Sequence, residues 1–284
     1  MDPHARRTIA LLSTVLCFTA QTATAQSRTS AALSAKFTPE RLSQRTTLNF
    51  GFSFSAPTGQ VPPPLTQIEL RYPDNLGIAL SGLGLATCSS TTLEASGPSA
   101  CPTDAVMGRG QALTGIVLGT TIITESAPIT ILRAPDREGR LELLFYSEGT
   151  SPVNTRIVFP GLLLPASTPF GGLVSIGVPL VPTLPGAPYI SVIRLHAAIG
   201  PIGVTYYEHV DGRTLAYQPK GILLPSTCPR GGFPFAAEFS FLDEEHASAF
   251  TTAPCPPAKA DDRRTGAKRG RDAGGRRGRD RASG

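Results

Sequence analysis

The chain predicts an all-β protein: an antiparallel β-sandwich with Pro/Gly-rich loops, two local disulfides and a disordered basic C-terminal tail. Three observations carry this. Apolar residues alternate with small or polar ones at a period of two in one run after another, the pattern of strands with one buried face. No segment shows a sustained 3.6-residue apolar period flanked by caps, so helix content is expected to be low. Glycine and proline number 29 and 27 in 284 residues. That is short of the ~25–30% that marks low complexity, and β-branched and aromatic residues fill the intervals.

Residues 1–25 read as a secretory signal peptide, with Arg6-Arg7 as the positive start, an apolar run over 9–20, and Ala23-Thr24-Ala25 as the small-residue cleavage site. The run is too short to span a bilayer, which needs about 20 apolar residues, so no transmembrane segment is expected in the mature chain. Arg6-Arg7 leaves a twin-arginine route open beside ordinary Sec export. Residues 26–45 are polar without a convincing period and read as a linker. The β-sandwich body is expected over 46–256, as one sandwich or as two lobes.

Within the body, 47–54 is the first clear strand, with Leu48, Phe50, Phe52 and Phe54 on one face. Val61-Pro62-Pro63-Pro64 is a stiff connector, because proline fixes φ and cannot join a ladder. Residues 67–72 alternate again, and a Pro-Asp-Asn turn leads into 76–85. Further strands are expected over 106–113, 120–132, 140–146, 155–159, 173–178, 189–198, 204–210 and 213–217. Asp211-Gly212 between the last two is a strong hairpin signal. Phe235, Ala237, Phe239 and Phe241 then alternate toward the polar turn Asp243-Glu244-Glu245-His246, and 247–253 runs back.

Beyond the signal, four cysteines remain: Cys88, Cys101, Cys228 and Cys255. An even number in an exported chain favours disulfides. Of three connectivities, the local pairs Cys88–Cys101 and Cys228–Cys255 fit best, since each closes a short segment between strand-like runs. Zinc ligation is disfavoured, because no C-x-x-C or H-x-x-x-H spacing occurs.

Motifs for chemistry are missing. There is no Gly-x-Ser-x-Gly elbow, P-loop or G-x-G-x-x-G, and nothing implies a cofactor, a metal or a catalytic residue. His196, His209 and His246 read as surface polar residues. Asp243-Glu244-Glu245 reads as a solvated turn, because glycoside hydrolysis wants carboxyls facing each other across a cleft. A dispersed hydrolase site would have to gather His196, His209, Glu208 and Glu238 from distant elements.

Charge is split along the chain. From Pro256 onward there are ten basic and four acidic residues, whereas 26–255 holds fourteen and sixteen. The tail, 257–284, therefore carries the basic character and beyond Pro257 has no apolar residue larger than alanine, so it is expected to be disordered. It suits attachment to anionic cell-wall polymers or lipid headgroups. It lacks aromatics for base stacking, and no nucleic acid is expected. In contrast, the stretch from Ile157 to Ile193 contains no charged residue and seven prolines. The prolines exclude a membrane helix, leaving buried strands, or a surface for an apolar ligand or partner.

The run Cys-Pro-Arg-Gly-Gly-Phe-Pro-Phe-Ala-Ala-Glu-Phe-Ser-Phe from Cys228, closed by Cys255-Pro256, resembles a group of uncharacterised exported β-rich proteins of actinobacteria. The resemblance covers most of 46–256 and implies export and a β-rich fold, with no activity to carry over. Such chains carry Asp-Gly after the aromatic strand, where this one has Asp243-Glu244-Glu245. The resulting expectation is a secreted, extracellular or cell-envelope binding or structural module without enzymatic activity; the alternative is a secreted carbohydrate-active or other hydrolase.

Overall fold

A computed structural model describes residues 29–256 except 79–81, 152 and 184–185. The segment 1–25 expected to be a signal peptide and the basic tail lie outside the described residues. The strands are β1 (Ser30–Thr38), β2 (Arg45–Ser55), β3 (Leu65–Pro73), β4 (Val106–Leu118), β5 (Thr121–Arg133), β6 (Glu142–Glu148) and β7 (Arg156–Leu164). They continue with β8 (Phe170–Gly177), β9 (Ser191–Ile199), β10 (Tyr206–Val210), β11 (Arg213–Tyr217), β12 (Ile222–Leu223), β13 (Phe233–Phe241) and β14 (His246–Ala253). One short helix, α1 (Ser90–Ser96), lies between β3 and β4.

The main sheet runs β1-β2-β9-β4-β5-β6-β7-β8-β3-β13-β14, with β12 added beside β2 and β10–β11 forming a separate hairpin. Every registered pair in it is antiparallel. Its end strands β1 and β14 lie side by side, and the Thr29 N–H donates to the Glu245 carboxylate there at 3.3 Å. The sheet thus nearly closes on itself, and the layers of this sandwich-like barrel belong to one continuous sheet. Closure of this kind shields the edge N–H and C=O groups that an open sheet would expose.

The antiparallel all-β class is the one the periodicity predicts, and both local disulfides form, with Cα–Cα distances of 5.5 Å for Cys88–Cys101 and 5.9 Å for Cys228–Cys255. Asp211 and Gly212 both have positive φ, 50° and 74°, as a type I′ hairpin requires. The linker expected over 26–45 is corrected. Ser30–Thr38 is a nine-residue strand paired along its length with β2. Its inward residues Ala31, Leu33, Ala35 and Phe37 alternate with Ala32, Ser34 and Lys36, and alanine on both faces blurs the period that would have marked a strand. Among the described residues of the run 76–85, Gly77 forms an isolated bridge with Leu223.

The core has two unequal parts inside the barrel and a third outside it. Phe37, Phe54, Phe233, Phe235, Phe239 and Phe241 from β1, β2 and β13 are buried and fill one sector. Their rings meet at 5.3 Å (Phe37–Phe233), 4.8 Å (Phe54–Phe239) and 5.2 Å (Phe54–Phe241), separations at which edge-to-face contacts add to burial. On the outer face of the wall, Leu132, Leu144 and Tyr146 pack under Leu93 of α1, the Cys88–Cys101 bridge and Tyr206. The remaining sector, walled by β4 to β9 with residues of β2 and β3, is where the site lies.

Candidate functional site

Inward-facing residues of β2 to β9 enclose an apolar chamber of about 160 Å³. The reason it stays open is local. Ala112 on β4 and Ala127 on β5 are cross-strand partners, and both face inward. Ala197 on β9, opposite Gly110 two residues back along β4, also lines the chamber. Three small side chains on adjacent strands leave a void that leucine or phenylalanine would have filled. A bulge where Leu113 pairs with Arg194 and Thr114 with Val192 skips Ile193. It turns both Leu195 and Val192 toward the interior.

The uncharged stretch supplies much of the wall. Ile157 and Phe159 of β7, Val174 and Ile176 of β8, and Val178, Val181 and Ile190 of the following segment all line the chamber. Phe145 of β6 stacks on Phe159 with ring centroids 5.4 Å apart. The strand expected over 155–159 continues to Leu164.

Polar groups gather at one end. Thr114, Glu125, Ser147 and Thr155 lie there, where β4 leaves, β5 enters, β6 ends and β7 begins. Glu125 is the single ionisable residue of the lining and is 4% exposed. Its inward direction follows from the β5 alternation, since Ala127, Ile129 and Ile131 of the same face also line the chamber. Oε1 accepts from the Thr150 N–H, and Oε2 accepts from the Val153 N–H at 3.3 Å. Glu125 therefore pins the 149–155 loop across this end of the barrel. The loop needs glycine at 149, because an added Cβ would meet the Val153 carbonyl oxygen and stand 2.8 Å from Glu125 Oε1.

The outer base of the same loop is fixed by ionic contacts. Arg156 Nε donates to Glu148 Oε1 at 2.8 Å, and the Tyr146 hydroxyl donates to Oε2 at 2.8 Å. These hydrogen bonds, Arg156 first, hold the Glu148 carboxyl below its ordinary pKa. Burial, reinforced by Glu148, pushes the Tyr146 phenol up.

The residues named for a dispersed site sit on different elements. His196, on the outer face of β9, lines a polar surface groove with Lys36, Asn49, Arg109 and Gln111. Glu208 and His209 belong to the separate hairpin, where His209 Nε2 lies 3.1 Å from the Thr214 hydroxyl. Glu238 pairs with Arg71 at 2.7 Å and shares a second shallow groove with His246, whose Nδ1 is 3.2 Å from Ser240 Oγ. Asp243 accepts from the Glu245 N–H at 3.1 Å and so folds its own turn. Glu125 went unread in the sequence, although it is the one acid on the inward face of an otherwise apolar run. No helix among the described residues is long and apolar enough to cross a membrane. No protein-family model, curated protein or solved structure matches the chain.

Proposed function

We propose that the chain is an exported, non-enzymatic binding module of the cell envelope or extracellular space, which holds a small apolar ligand within its barrel. The observation that carries this is the chamber of about 160 Å³ walled by aliphatic and aromatic side chains. An apolar cavity of ~150 Å³ is large enough to take benzene or xenon. The paired cysteines support an oxidising compartment. The basic segment from 257 onward, net +6 by sequence, supplies attachment to anionic polymers. Binding is favoured over hydrolysis because the chamber holds one carboxyl group, and paired-carboxylate chemistry needs a second.

Toluene titrated against the mature chain, followed by the thermal unfolding midpoint, tests this reading. A ligand that binds only the folded state raises the midpoint with the logarithm of its concentration above Kd, with about 2.7 kcal/mol of stabilisation at 100 times its Kd. Ala127→Leu should abolish that response by filling the chamber, while the variant stays folded. An unchanged midpoint in the native chain, or an equal rise in A127L, would sink the reading.

A further inference from the structure

Glu125 does more than an apolar chamber or a loop pin requires. A carboxyl group offers about four lone-pair sites, and two backbone N–H groups use one on each oxygen. The others remain, and the lining of the chamber contains no lysine, arginine or histidine. Ser147 and Thr155 place hydroxyls at the same end. A hydroxyl can donate to a ligand oxygen as well as accept from it. A pin alone would be served by any acceptor, and burying a carboxyl among aliphatic groups is costly unless its hydrogen bonds are made.

We propose that Glu125 is the recognition residue for a compact hydrophobe bearing one hydroxyl, of the phenol or small cyclic alcohol class, bound with its ring in the chamber and its O–H donating to the carboxyl group. This rests on the binding-module reading and adds the chemistry of the ligand's head. The ring's size is bounded by the chamber: at about 160 Å³, against ~150 Å³ for a benzene-sized void, it holds about seven heavy atoms. A single hydroxyl suits the site, because Ser147 and Thr155 complete its acceptor side. The polar end under the loop holds the hydroxyl, and the apolar walls hold the ring.

Phenol and toluene have the same number of heavy atoms and differ in O–H against CH₃, so they isolate the head. Both are titrated calorimetrically into the native mature chain and into Glu125→Gln. In the native chain phenol should bind at least about tenfold more tightly than toluene, the scale of a hydrogen bond to a charged acceptor. A purely apolar chamber gives the opposite order. In E125Q the preference, read as the ratio of the two affinities measured in that same variant, should collapse. Toluene equal to or tighter than phenol in the native chain overturns this inference and leaves the binding module standing, as does a phenol preference that survives E125Q. Neither compound binding overturns both. Should E125Q fail to fold, the native-chain order alone decides.

Discussion

Tyr206 is fully buried, and its hydroxyl is used in both directions: it donates to the Val106 carbonyl at 2.9 Å and accepts from the Gly84 N–H at 2.8 Å. It ties the 84 loop to the first residue of β4, over the outer wall. Burial, only partly offset by the Gly84 N–H, pushes its pKa from 10.0 up to about 12. The folded value lies above the unfolded one, so the contribution is complete below pH 10 and is lost as pH rises through about 12. Tyr206→Phe strands a buried donor and acceptor and should cost about 2 kcal/mol at neutral pH. The gap between native and variant urea midpoints should narrow on the alkaline side of pH 10. A gap that stays constant to pH 12 would contradict the assignment. The sequence placed Tyr206 in a strand but not its partner, because period-2 alternation reports a face, and Gly84 lies 122 positions away. Glu125 was missed for a related reason. One acid in an inward row looks like a register slip until the loop that it pins is brought across the barrel.

Turns and strands were more legible, as their signals are local. The Asp211-Gly212 hairpin is set by two residues that tolerate positive φ, and the β13 run announces its own buried face. The β13–β14 turn shows what happens when the usual residue is replaced. Glu244 N–H donates to the Phe241 carbonyl, the Phe241 N–H donates to Glu245, and Glu244 takes φ 64°. This is a three-residue loop with a left-handed final position, a place that favours glycine. An L-residue there costs roughly 1–2 kcal/mol, against about 0.5–1 kcal/mol of extra unfolded-chain entropy for glycine. Glu244→Gly should therefore raise stability by about 0.5 kcal/mol, read as a higher urea midpoint at unchanged slope. A lower midpoint would mean that the Glu244 side chain holds the turn by a contact worth more than the backbone strain. Strand β1 was illegible because alanine serves both its faces, so hydrophobicity does not alternate where geometry does.

For the whole molecule, the decisive feature is that one barrel is packed solid in one sector and hollow in the other. Periodicity alone did not reveal this. It assigns Phe239 and Ala127 alike to the interior, whereas filling depends on volumes summed over strands far apart in sequence. The phenylalanines of β1, β2 and β13 crowd together, while Ala112 faces Ala127 across β4 and β5 and Ala197 lines the same chamber. Charge is segregated along the chain as sharply, with net +6 beyond Pro256 and −2 over 26–255. If the hollow sector binds and the basic segment anchors, the two properties should separate cleanly. Ala127→Leu should lose toluene uptake and keep retention on anionic cell-wall fractions. Truncation after Pro256 should keep toluene uptake and the thermal midpoint and lose that retention. Retention of the full chain should also fade with salt, since the Debye length falls from ~10 Å at 0.1 M to ~3 Å at 1 M, whereas toluene uptake should not weaken. The informative contrary result is a truncated chain that binds the fractions as well as the full one at low salt. Attachment would then belong to the barrel surface, where Lys36, Arg109 and His196 line the groove on β1, β2, β9 and β4, and the basic segment would have no part in it.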